Sequence, residues 1–207
     1  SQRFHSRYVR YIQGDCGRTT GVGHQNMYVA LFTECLKALT KQLSEKQILV
    51  SDAILSSLKI LRIVYDGERL TPLNRELLGY LDEEVKEFER LWREADHLSI
   101  AQLGRQGVPT YRMINGFWVE QTGSSRLRKT PSYSGSRGTI FANFGAVELE
   151  LLLARFKGDE GSYVGIKFEN DGNSVFMCRS SQLFSVYSAI RENVRTQIEQ
   201  LTKQMSP

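Results

Sequence analysis

Apolar residues change their period once along this chain, after Gly107, and that switch constrains the fold more than any other feature. From about residue 24 to 100 they recur every three or four positions, the spacing of a helix face. After Gly107 they come in short runs bounded by turn residues, until a last helical seam closes the chain. Tyr28, Leu31, Phe32, Cys35, Leu36, Leu39 and Leu43 form the face of a first helix. A second starts near Ser51, a candidate N-cap, and runs through Ile54, Leu55, Leu58, Leu61 and Val64 to a stop at Gly67. In the third, Thr71 can cap and Pro72 suits the first helical position. Leu77, Leu81, Val85, Phe88, Trp92 and Ala95 follow as one continuous face. The charged residues opposite, from Glu83 to Glu94, read as a solvated side.

The second half predicts strands. Asn115-Gly116 between Tyr111-Arg-Met-Ile and Phe117-Trp-Val-Glu has the composition of a type I′ hairpin turn. A Ser/Gly/Arg/Lys loop spans 122–138, followed by an apolar run at Thr139–Phe144 and a break at Gly145. Alternating Val147, Leu149, Leu151 and Leu153 suggest a strand to Phe156. Turns at 157–161 and 170–173 then bound the runs Tyr163–Glu169 and Ser174–Arg179. From Ser180 or Ser181, Leu183, Tyr187, Ile190, Val194, Ile198, Leu201 and Met205 make the seam of a terminal helix. Strands in hairpins, without βαβ alternation, define an α+β fold. It comprises an N-terminal helical module followed by an antiparallel β-meander closed by a long C-terminal helix. The expected division is a basic arm at 1–23, a helical module at 24–105, and sheet plus helix at 106–207. The distal seam residues Ile198, Leu201 and Met205 are candidates for an interface with another chain, in a homo- or hetero-oligomer.

At 41% hydrophobic and 24% charged, the 207 residues exclude a disordered or low-complexity chain. Cys16, Cys35 and Cys178 form no CxxC pair, which argues against zinc or a disulfide framework and for thiols of a reducing compartment. With no long apolar run and no secretory h-region, the sequence reads as that of an intracellular protein, in cytosol, nucleus or organelle matrix. His5, His24 and His97 lack metal-pair spacing, and no Walker loop, GxGxxG or GxSxG occurs. Gly21-Val-Gly23 lacks the preceding strand of a phosphate loop. Glu148 and Glu150, at strand spacing, would share a sheet face about 7 Å apart and read as solvated. Asn170-Asp-Gly-Asn173 lacks the ligand spacing of a calcium loop. No catalytic residue, metal or cofactor is therefore expected.

The net charge of +4 is informative only when resolved along the chain. Residues 1–20 carry +3, residues 61–100 carry −4, and residues 101–140 carry +5. Within the last island lie Arg112, Trp118, Arg126, Arg128, Lys129, Tyr133 and Arg137. The arm adds Arg3, Arg7, Arg10 and Arg18 among Phe4, Tyr8 and Tyr11. Cations that follow phosphates, interleaved with rings on which bases stack, suit single-stranded nucleic acid. Arg112, Arg126, Arg128, Lys129, Arg137, Arg7 and Arg10 are the candidate phosphate contacts, and Trp118 and Tyr133 the candidate stacking rings. Ser124, Ser125, Thr130 and Ser132 would suit phosphorylation, reversing the local charge.

From Leu149 to Leu201 the order is strand, turn, Tyr163-Val-Gly-Ile-Lys-Phe-Glu, turn, Val175-Phe-Met-Cys-Arg, then the helix Leu183-Phe-Ser-Val-Tyr-Ser-Ala-Ile. This segment resembles the repeat of the Whirly and Pur-alpha single-stranded nucleic-acid binders, which implies base stacking on a curved sheet and assembly through helices. It is also similar to the end of pleckstrin-homology and phosphotyrosine-binding domains, where a last strand leads into a capping helix. That second resemblance implies a protein- or lipid-binding adaptor. The leading expectation is a non-enzymatic protein that binds single-stranded RNA or DNA with little sequence preference, through the basic loop and the sheet face.

Overall fold

Three long helices carry the stripes read above, and they pack as a bundle. In the computed structural model, which describes residues 21–95, 100–122, 126–129, 138–156, 161–167 and 173–205, α1 is Gly21–Ser44, α2 is Val50–Leu61 and the last helix, α7, is Ser180–Met205. Val50 N–H, at the start of α2, donates to Tyr187 Oη (3.3 Å), and Tyr65, just beyond its end, donates to Leu201 O (2.7 Å). The two helices are therefore parallel. A short connection reverses α1 against both, and Arg191 of α7 donates to Leu43 O near the end of α1 (3.4 Å). Leu36 and Leu43 of α1, Ile54 and Leu58 of α2, and Leu183, Ile190, Val194 and Ile198 of α7 are buried in the seam.

This packing corrects one expectation. Ile198 is buried and Met205 nearly so, within their own chain's core, and Leu201 is half-buried against it. The seam of α7 is consumed by α1 and α2, so Ile198 and Met205 present no free apolar stripe to a second chain. Its buried Thr202 is satisfied by Ile198 O, four residues back (2.6 Å).

The third helix divides. Thr71–Leu78 forms α3 and Asp82–Glu94 forms α4, with Gly79 between them at φ 92°. A Cβ there would lie 2.5 Å from Asn143 O, so the break is held by a close backbone approach as well as by conformation. No residue of α4 is fully buried; Phe88, Leu91 and Trp92 cover a satellite cluster of Ala95, Leu103 and Val108 with the short α5, Ile100–Arg105.

The sheet also departs from expectation. Asn115-Gly116 makes no turn: after the 3-10 turn Thr110–Arg112, β1 runs unbroken through Met113–Thr122. Instead β1 pairs antiparallel with the next strand in the chain, β2, Arg126–Lys129, with Thr122 opposite Arg126. Two contacts override the local turn propensity. A Cβ on Gly116 would lie 2.2 Å from Met177 O and 2.6 Å from the Phe176 ring, so glycine is required for a strand to pass here. Asn115 N–H donates to Gln182 Oε1 (2.7 Å) and Asn115 O accepts from Gln182 Nε2 (2.5 Å), so a carboxamide continues the ladder where β5 ends.

Strand β1 is central. It pairs antiparallel with β2, with β3 (Thr139–Phe141) and with β5 (Ser174–Arg179), and β5 pairs with β4 (Tyr163–Ile166). The segment expected as a strand from Val147 is a helix, α6, Ala146–Ala154. Its alternation was ambiguous: Ala146, Leu149 and Leu153 also fit one helix face, and those are the buried residues. The architecture is thus α+β, and helices and sheet share one core cluster drawn from Leu36 through Met205. Among the described residues no helix is long and apolar enough to cross a membrane.

Candidate functional site

The two faces of the sheet differ in what covers them. Strand alternation sends Trp118, Phe176, Cys178, Val164 and Ile166 inward, where α7 closes over them. Trp118 and Phe176 are register partners whose rings meet edge-on, with centroids 5.3 Å apart. Burial pushes the Cys178 thiol up to about 11, which makes it an inert core group. Trp118, 9% exposed, is therefore a core residue and not the stacking ring expected from sequence.

Arg112 is corrected in the same way. It is 0% exposed and its guanidinium donates to Glu76 Oε2 (2.5 Å), Ala142 O (3.1 Å) and Phe144 O (2.8 Å). Burial works against its charge, but the adjacent Glu76 carboxylate outweighs that cost and holds the guanidinium protonated. Glu76 Oε1 accepts from Tyr111 Oη, Asn193 Nδ2 (2.9 Å) and Tyr80 Oη (3.4 Å). The Tyr111 phenol is pushed well above its ordinary range by burial and by Glu76. The cluster ties α3, the entry to β1, the carbonyls before α6, and α7. The Glu76–Arg112 pair at its centre is closed to solvent and locks these elements together, with Arg112 Nε buried and without a hydrogen-bond partner among the described residues.

A second carboxylate has a similar structural task. Glu148 and Glu150 lie on α6, not on a sheet face. Glu150 accepts from Ser51 N–H (3.1 Å), Ser51 Oγ (2.5 Å) and Tyr187 Oη (2.6 Å), so it caps the start of α2 from another helix. The expected cap Ser51 sits inside α2, whose preceding Leu49 offers no side-chain cap. Burial and the bond to Glu150 push the Tyr187 phenol up to about 12.

The outer face of the sheet is open on its β4 side. Tyr163 on β4 is 53% exposed and its ring meets Phe117 of β1 at 5.8 Å and 67°. The two rings meet across β5, where Met177, register partner of both Phe117 and Gly165, has its sulfur over Gly165, 3.3 Å from where a Cβ would lie. Arg179 is the register partner of Tyr163, with its guanidinium carbon 5.9 Å from the ring centroid. Arg179 and Lys167 are exposed, and among the described residues neither has a carboxylate partner. Val119, on the same face but only 4% exposed, pairs in register with Lys129 of the basic strand β2.

Of the sequence candidates, Arg126, Arg128 and Lys129 are placed on the edge strand beside this face as backbone; their side chains lie outside the described residues. Tyr133, Arg137, Arg7 and Arg10 also lie outside them. Phe117, Tyr163, Lys167 and Arg179 were not singled out from the sequence. The alternation Tyr163-Val164-Gly165-Ile166 carried the signal: with Val164 and Ile166 inward, Tyr163 must face out. Among the described residues no group of three or more His, Cys, Asp and Glu side chains is arranged to hold a metal ion.

These features define an α+β protein with one sheet face sealed by a helix and the other carrying the exposed Tyr163 ring and the cations Lys167 and Arg179. Compared with family models, curated proteins and solved structures, the chain matches none.

Proposed function

We propose that this protein binds single-stranded RNA or DNA, with little sequence preference, on the outer face of its sheet. The observation that carries the reading is the exposed Tyr163 ring, braced edge-on by Phe117 and flanked by Arg179. A base can stack on such a ring whatever its identity, because every base has a π-face. Arg179, Lys167 and the basic β2 edge supply the charge that phosphates require. A sheet face suits this work because its side chains are held at fixed spacing by the ladder beneath.

The test is fluorescence anisotropy of a labelled oligouridine or oligothymidine titrated with the full chain. The expected result is saturable binding at low salt whose logarithm falls linearly with log[salt], by about 0.7 per phosphate contact. An absence of binding at low ionic strength would refute the reading.

A further inference from the structure

A second surface, distant in sequence from β1, β4 and β5, is built from the turn between α3 and α4 and the outer side of α6. The close packing of Gly79 on Asn143 is repeated by Gly145, whose Cβ position would lie 2.3 Å from Leu77 O. Tyr80 N–H adds a bond to Asn143 Oδ1 (2.6 Å). Residues 77–80 are thereby seated against residues 143–145, just ahead of α6. Leu78, 77% exposed, follows the Leu77–Gly145 contact, Leu81 three residues on is 68% exposed, and α6 leaves Val147 and, one turn on, Leu151, 65% exposed, in solvent.

None of these four side chains is needed for the fold, since α3 buries Leu73 and Leu77 and α6 buries Ala146, Leu149 and Leu153. A lone exposed leucine is ordinary; four on adjoining segments form a patch. Its rim is acidic. Glu84, Glu87 and Glu94 are ion-paired with Arg75 or Arg90, whereas Asp82, Glu83 and Glu148 have no cation partner among the described residues. Burial holds the Glu148 carboxyl above its ordinary value, the mark of a carboxylate partly stripped of water with nothing in exchange.

We infer that this surface docks a basic amphipathic helix of a partner protein, its apolar stripe on Leu78, Leu81, Val147 and Leu151 and its cations on Asp82, Glu83 and Glu148. The rim selects the occupant. Nucleic acid would be repelled, and a second copy related by a two-fold axis would bring acid against acid. The spacing of apolar positions on α6, with leucines on the neighbouring turn, suits anchors at i, i+3 or i+4, and i+7 on an incoming helix. The inference is independent of the nucleic-acid reading, because it uses other residues of opposite charge.

The experiment titrates the full chain into a labelled amphipathic Leu/Lys peptide, with a scrambled peptide of the same composition as control. The amphipathic peptide is expected to bind at least about tenfold more tightly than the scrambled one. Leu78→Asp with Leu151→Asp is expected to abolish that preference. Glu83→Lys with Glu148→Lys should weaken binding about tenfold, and circular dichroism should stay unchanged in both pairs. Equal binding of the two peptides would overturn the inference, as would wild-type affinity in the variants. So would sedimentation of the wild type as a dimer that the leucine variants dissolve, because the surface would then be a self-interface.

Discussion

The inner and outer faces of the sheet are made by the same three strands, yet they have opposite physical characters. Inward residues are sealed by α7, with Trp118 against Phe176 and a buried Cys178. Outward, Phe117, Tyr163 and Arg179 form a comparable aromatic contact that keeps the Tyr163 ring half in water. Ring contacts of nearly equal geometry thus serve folding on one side and leave a surface free for a ligand on the other. The two arginines make the same point. Arg112 is buried against Glu76, while Arg179 faces solvent beside a ring.

The largest effect separating the faces is expected from Phe176→Ala, which empties the inner core and should cost about 3–5 kcal/mol in urea unfolding. Oligonucleotide affinity of the protein that remains folded should stay unchanged. Glu76→Ala should cost a similar amount, about 3–5 kcal/mol, because it leaves the Arg112 charge buried without a partner. Replacing both, with Glu76→Leu and Arg112→Met, should recover part of that loss, and urea melts of the three variants would show whether it does.

Alkaline pH should also act on the sealed groups. The Cys178 thiol and Tyr187 phenol are raised in the fold to about 11 and about 12 from ordinary values of 9.0 and 10.0. Their neutral forms are thus favoured by folding. The corresponding stability is complete below pH 9 and is lost as pH rises through 11 and then 12. Denaturation midpoints measured from pH 8 to 12 should fall across that window, and Cys178→Ala should flatten the first part of the fall. The smallest effect is expected from Arg179→Gln on the open face. Stability should change by less than about 0.5 kcal/mol, and the salt slope of oligonucleotide binding should drop by about 0.7.

The elements legible in the sequence were those whose burial demands one long, unambiguous stripe. The seam from Leu183 to Met205 gives α7 nearly residue for residue, and the faces around Leu36 and Ile54 give α1 and α2. What failed was decided by distant contacts. Asn115-Gly116 has the local chemistry of a turn, but the glycine is there to admit Phe176 and Met177, which lie some sixty residues away. Gly79 divides a helical stripe because Asn143 packs on it. The nine residues of α6 are too few for period alone to separate helix from strand. Among candidate site residues, local charge marked Arg112, but charge cannot report burial, and Glu76 lies thirty-six positions upstream. Tyr163 was readable in principle, once its apolar neighbours Val164 and Ile166 were assigned inward.

The central claim is that the open face, through Tyr163, is the surface on which bases stack. Its most direct test is Tyr163→Ala, with oligonucleotide affinity and urea stability measured on the same preparation. The account predicts binding weakened by about 1–3 kcal/mol with stability changed by less than about 1 kcal/mol. Unchanged affinity in a fully folded variant would contradict it.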